Sequence, residues 1–168
     1  QIVGLSNGYL YGLWMGTLTG VAIFIAILAA YFLFGHRWID QDYVGELAAE
    51  VGISSPWILL AGAVYWSTIN ATLEEYVWRW WVFRRFEDFT PSAVAVALSA
   101  LAFTFHHVFL LAYYFDWRVT LLGSVGVCVG GLTWSWLYAR YRSIWPAYIS
   151  HAFADVAIMI IAYRVIFG

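Results

Sequence analysis

The chain has 168 residues, of which 64% are hydrophobic and 11% charged, and its mean hydropathy is +0.77. That composition excludes an ordinary soluble domain and describes a polytopic, all-α membrane helix bundle, with 1–168 as a single integral-membrane domain. A formal net charge of −2, with eight arginines and no lysine, gives no basic face for nucleic acid. The lone Cys128 sits in an apolar run, reads as a small core residue and allows no disulfide within the chain.

The chain begins at Gln1, so its N-terminus is either processed or internal to a longer protein. The opening residues lack a basic stretch and a small-residue cleavage site, and are not read as a signal peptide. The pattern then predicts five spans. The first runs from about Gly8 to Phe34, with Gly12, Gly16 and Gly20 on one face where another helix can approach closely. A polar connection follows, His36 to Pro56, in which Val44 to Val51 can form a short interfacial helix. Ser54-Ser55-Pro56 signals a helix start. The second span, about Trp57 to Phe86, is long for one crossing and is expected to protrude or tilt. The third runs from about Ser92 to Tyr114 and contains Phe103-Thr104-Phe105-His106-His107. The fourth, about Val119 to Tyr138, carries Gly123, Gly126, Gly130 and Gly131 for close packing. The fifth, about Trp145 to Phe167, contains Ser150-His151-Ala152-Phe153-Ala154-Asp155. Four arginines fall on the side of the Arg84 and Arg140 loops and three on the other, which favours the first side as cytoplasmic. The expected setting is the bacterial inner membrane.

The polar residues inside these spans carry the chemistry. Intramembrane ionisable groups are expensive, so they face a bundle interior or a wet cavity and are functional until shown otherwise. On the second span, Glu75 and Arg79 lie one turn apart and within about 40° of each other in helical phase, an i,i+4 ion pair. Glu74 points about 100° away from Glu75 and aims a free carboxylate at some other segment. His151 and Asp155 share a face of the last span. At about 1.5 Å per residue from the Arg84 and Arg142 side, Glu74 lies about 15 Å deep, His107 about 22 Å, and His151 and Asp155 about 10 and 16 Å. Three helices therefore bring carboxylates and imidazoles to a similar level on one side of the bilayer centre. A carboxylate with a histidine can hold and deprotonate water, and a second histidine can donate to a developing oxyanion. No serine or cysteine nucleophile pattern competes. No His-Glu-x-x-His spacing exists, so no metal is assigned.

Glu-Glu-x-x-x-Arg on one span, Phe-x-x-x-His on the next and His-x-x-x-Asp on a later one resemble the motif order of the CPBP family. This family comprises CAAX-protease and bacteriocin-processing intramembrane endopeptidases, the type II CAAX prenyl endopeptidases among them. The motif core is about 70–155, and Ser143-Ile144-Trp145-Pro146 resembles the usual lead-in to the last motif. By position, Glu74 resembles the catalytic glutamate and His107 the water-binding histidine. Glu75 and Arg79 resemble the supporting acid and arginine, and His151 and Asp155 the oxyanion-side pair. Trp80 stands where the family usually has Gly and is expected to narrow the cavity. Trp78 stands where Phe is common. Asp155 stands where Asn is common, so it must be protonated or orient His151. Five spans are fewer than the family usually has, which leaves room for a partner to supply a wall.

Two functions remain open. The resemblance implies a metal-independent glutamic endopeptidase, without cofactor, acting among membrane lipids on a membrane-associated or prenylated peptide. The alternative is a non-catalytic relative serving as scaffold or cofactor-holding subunit of a larger membrane complex, with His106 and His107 as candidate tetrapyrrole ligands.

Overall fold

A computed structural model describes residues 7–168; the opening residues discussed above lie mostly outside them. The described residues are helical without a strand. We number the helices α1 (Asn7–Leu33), α2 (Gln41–Glu50), α3 (56–87), α4 (Ser92–Tyr114), α5 (Trp117–Tyr141) and α6 (Ile144–Phe167). Capping residues set their starts. The Asp40 side chain accepts from Tyr43 N–H, Ser55 from Ile58 N–H ahead of Pro56, and Asp116 from the N–H groups of Arg118 and Val119. The interfacial helix expected in the first connection is α2, displaced by a few residues towards the N-terminus.

Four helices, α1, α4, α5 and α6, are long and apolar enough to cross a membrane. The predicted second span differs in kind. Residues 56–87 follow one helical path, but it is wound as π-helix at Trp66–Asn70 and again at Tyr76–Phe83, with α-helical pieces between and around them. Side chains explain the first loosening. Ser67 Oγ donates to the Ala63 carbonyl at 2.7 Å, Thr72 Oγ1 to the Thr68 carbonyl at 2.7 Å, and Thr68 does the same to Val64. Such back-bonding competes for carbonyls that the helix ladder uses, and wide turns of this kind recur at functional sites. Both carboxylates of the central motif lie in Ala71–Glu75, the short α-helical piece between the two π segments.

Helix α6 is the hub, packing against α1, α2, α3 and α5, while α4 packs against α5 and α3. The glycine face of α1 makes the closest of these contacts: a Cβ at Gly16 would run into the Pro146 carbonyl oxygen. The glycines of α5 divide. Gly131 backs onto Ala100 of α4, where a Cβ would lie 3.2 Å from the Ala100 Cα. Gly126 faces open space and does not serve the packing role expected of it. The interior is small: Phe103, Trp134, Leu137, Ala147 and Ala154 form one core, and Phe83, Ala95 and Tyr138 another. Large apolar side chains such as Trp57, Phe105, Phe109 and Leu121 instead face outward, while Glu75, Arg79, Ser99, Ser135, Ser150 and His151 are buried. Polar inside with apolar outside is the arrangement of an integral membrane protein in lipid.

Candidate active site

The buried polar residues converge where α3, α4, α5 and α6 meet. Glu75 and Arg79 are fully buried, and the Arg79 Nη1 to Glu75 Oε1 distance is 3.2 Å. The guanidinium lies between two aromatic faces, 4.6 Å from the Phe103 ring centre and 5.2 Å from that of Trp134. The same Glu75 Oε1 accepts from His151 Nδ1–H at 2.8 Å, since a carboxylate has only acceptors to offer. Trp134 stacks on the His151 ring at 4.0 Å between centres and 13° between planes. Its own indole N–H donates to Ser150 Oγ, which also accepts from Thr19 Oγ1, both at 3.1 Å. The orientation of His151 is therefore fixed by Glu75 on α3 and Trp134 on α5, the Trp134 indole being held in turn through Ser150, which Thr19 on α1 also bonds.

His151 Nε2 faces two further carboxylates, Glu74 Oε2 at 3.7 Å and Asp155 Oδ1 at 3.6 Å. Both distances are beyond direct hydrogen bonding and suit charge attraction or a bridging water. Glu74 Oε1 accepts from Asn70 Nδ2 at 3.0 Å. The sequence pattern had left this carboxylate free to meet another segment; one oxygen does approach α6, and the other is held from within α3. His107 Nδ1–H donates to the Phe103 carbonyl at 2.9 Å, which leaves the lone pair on Nε2. Ligand atoms of Glu74, His106 and His107 lie within 4.8 Å of one another. Glu74, His107, His151 and Asp155, drawn from three helices, thus lie around one point in the bundle.

Trp80 corrects an expectation. It does not narrow this site: 44% exposed, it stacks on Tyr76 at 4.7 Å and points outward. Trp78 turns inward, edge-on to Phe103 and stacked on His106 at 5.0 Å and 7°. The sequence reading missed Asn70, Trp134, Ser150 and Thr19. Asn70 is one turn before Glu74 and was open to discovery by the same i,i+4 spacing that found Arg79. The other three act across helices and leave no mark in local spacing. A shallow groove of about 450 Å³ lies between α3 and α6, lined by Thr68, Ile69, Thr72 and Leu73 and by Trp145 and Tyr148, with none of the cluster residues in its wall.

A family model, that of the Rce1-like type II CAAX prenyl endopeptidases, matches residues 55–157. No curated protein and no solved structure matches the chain. The match covers well over half of the sequence and takes in α3 to most of α6, including every residue of the cluster except Thr19. This integral membrane protein has the general character of a CAAX protease, and the chain belongs to the Rce1-like family.

Proposed function

We propose that the chain is a metal-independent intramembrane endopeptidase, a single membrane domain over 1–168 in which Glu74 and His107 activate a water for attack on a peptide carbonyl. Glu74 acts as general base and takes the water proton. His107, with Nδ1–H committed to the Phe103 carbonyl, accepts from the same water through Nε2 and orients it. The water oxygen bonds to the carbonyl carbon, and the carbonyl π electrons move onto oxygen. His151, donating from Nδ1 to Glu75, meets that oxyanion as an imidazolium with Nε2–H. Collapse breaks the C–N bond, and the proton held by Glu74 goes to the leaving amine. Glu75 and Arg79 are positioning residues: they fix the His151 ring and never touch the substrate. Asp155, 3.6 Å from His151 Nε2, helps to hold the imidazolium charge.

The observation that carries this reading is the placement of one pre-oriented carboxylate, Glu74, beside both histidines, with Asn70 holding its far oxygen. The substrate we propose is a prenylated C-terminal peptide. The apolar groove along Ile69 and Leu73, which reaches the residue before Glu74, offers its lipid chain a bed. The test is cleavage of a prenylated peptide, and of a panel of membrane-anchored peptides, by the purified protein in a bilayer with chelator present. Cleavage of the prenylated peptide is expected. Failure on every substrate, with co-purification in a stoichiometric complex whose assembly survives Glu74→Gln, would favour the scaffold role instead.

A further inference from the structure

His106 is not part of the family motifs and is given no role in the proposed reaction, yet it lies against the proposed water-activating pair. Glu74, His106 and His107 each offer a ligand atom, and these atoms lie within 4.8 Å of one another. Two imidazoles and a carboxylate are a donor set for a borderline divalent ion such as Zn²⁺. A tetrahedral zinc site with bonds of about 2.0–2.1 Å needs its donors about 3.3 Å apart. The set is thus somewhat open and must contract by up to about 1.5 Å at its widest to take an ion.

Two further features favour an ion there. Each donor is held by a residue that is not itself a donor: Glu74 by the Asn70 amide at 3.0 Å, His107 by the Phe103 carbonyl at 2.9 Å, and His106 by stacking on Trp78 at 5.0 Å. Bonds from the outer side of a metal ligand set its orientation and raise its affinity. The lone pair of His107 is left on Nε2, as ligation requires.

We infer that Glu74, His106 and His107 form an inhibitory divalent transition-metal site, at which Zn²⁺ occupies the place of the water to be activated. The inhibitory part rests on the proposed function; the metal site does not. An ion bound by Glu74 and His107 consumes the basic oxygen and the Nε2 lone pair that the hydrolytic step uses, so metal occupancy and water activation exclude each other.

The experiment uses the purified protein in nanodiscs. Co²⁺ is titrated by its visible d–d absorption and displaced with Zn²⁺, and peptide cleavage is followed in chelator and in rising Zn²⁺. His106→Phe keeps a ring to stack on Trp78 and removes the ligand. The wild type should show a one-to-one tetrahedral Co²⁺ band. His106→Phe should weaken Zn²⁺ binding at least about tenfold, raise the half-inhibitory Zn²⁺ concentration by the same factor, and leave cleavage in chelator unchanged. The metal site is overturned if the wild type gives no band, or if His106→Phe binds as the wild type does. Its inhibitory role is overturned if chelator abolishes cleavage and Zn²⁺ restores it. A Co²⁺ band that depends on His106, in a protein that cleaves nothing with or without chelator, supports the metal site and overturns both the inhibitory role and the proposed function.

Discussion

Two arginine–carboxylate pairs in this protein have the same chemistry and opposite consequences. Arg142, in the turn between α5 and α6, donates twice to Glu87 at the end of α3, at 2.5 and 2.8 Å. The geometry is bidentate, yet 54% of the Arg142 side chain is exposed. Water solvates either partner alone, so the pair is worth at most about 1 kcal/mol. Arg79 and Glu75 are less well aligned, at 3.2 Å, but no water reaches them from the bulk. Their surroundings take its place: two aromatic faces for the guanidinium and the His151 imidazole for the carboxylate. The difference teaches that ion-pair geometry alone does not rank these contacts. What remains when one partner is removed does, and inside the membrane that remainder is an uncompensated charge.

The largest expected effect comes from the inner cluster and falls on activity. Glu74→Gln keeps shape and hydrogen bonding to Asn70 but removes the base, so kcat should fall about 10²–10⁴-fold while thermal stability stays near that of the wild type. A parallel fall in stability would show that Glu74 belongs with Glu75 as a structural charge. Next is Arg79→Ala, which strands Glu75 and His151 and should destabilise the protein by about 3–5 kcal/mol. Yield and melting temperature in detergent read this out, and an Arg79→Ala protein as stable as the wild type would break the contrast between the two pairs. Asp155→Asn removes a carboxylate from His151 at a point where no direct hydrogen bond is made. Activity should change less than about tenfold, in keeping with the roughly 1 kcal/mol of one such contact. Loss of all activity would make Asp155 a participant in the chemistry.

The smallest effect belongs to the water-facing pair. The Arg142 hydrogen bond holds the Glu87 carboxyl below its ordinary value, and Glu87 in turn raises Arg142. A depressed carboxyl contributes stability above its unfolded pKa and loses it as pH falls through the folded value. Arg142→Ala should therefore lower the melting temperature slightly at neutral pH. The gap to the wild type should close in acid below the usual glutamate range, as measured by melting curves across that range. An equal gap at both ends would assign the effect to the backbone instead, since Arg142 also closes α5 in a left-handed conformation at φ 52°.

Spacing made the inner pair and most helix starts readable. Glu75 and Arg79 are i,i+4, Ser55-Pro56 begins α3, and Gly16 marks the closest approach of α1 to α6. What spacing could not reveal followed from departures from a regular α-helix. The second span is wound wide at Trp66–Asn70, where Ser67, Thr68 and Thr72 draw on backbone carbonyls that helical phase takes as given, and again at Tyr76–Phe83. The shelf under His151 was hidden for another reason. Trp134, Ser150 and Thr19 come from three helices, and a single sequence carries no record of which residues meet across a bundle. His106 was visible as an extra histidine, but its nearness to Glu74 required the packing of α3 on α4.

The claim that Glu74 and His107 act together on one water is tested most directly by a double-mutant cycle on cleavage of the prenylated peptide. Glu74→Gln and His107→Ala are each expected to lower kcat about 10²–10⁴-fold. If the two serve the same water, the double mutant should be little worse than either single mutant, because residues that work as a unit are not additive. Losses that multiply in the double mutant would contradict the account, showing that the two side chains serve separate steps.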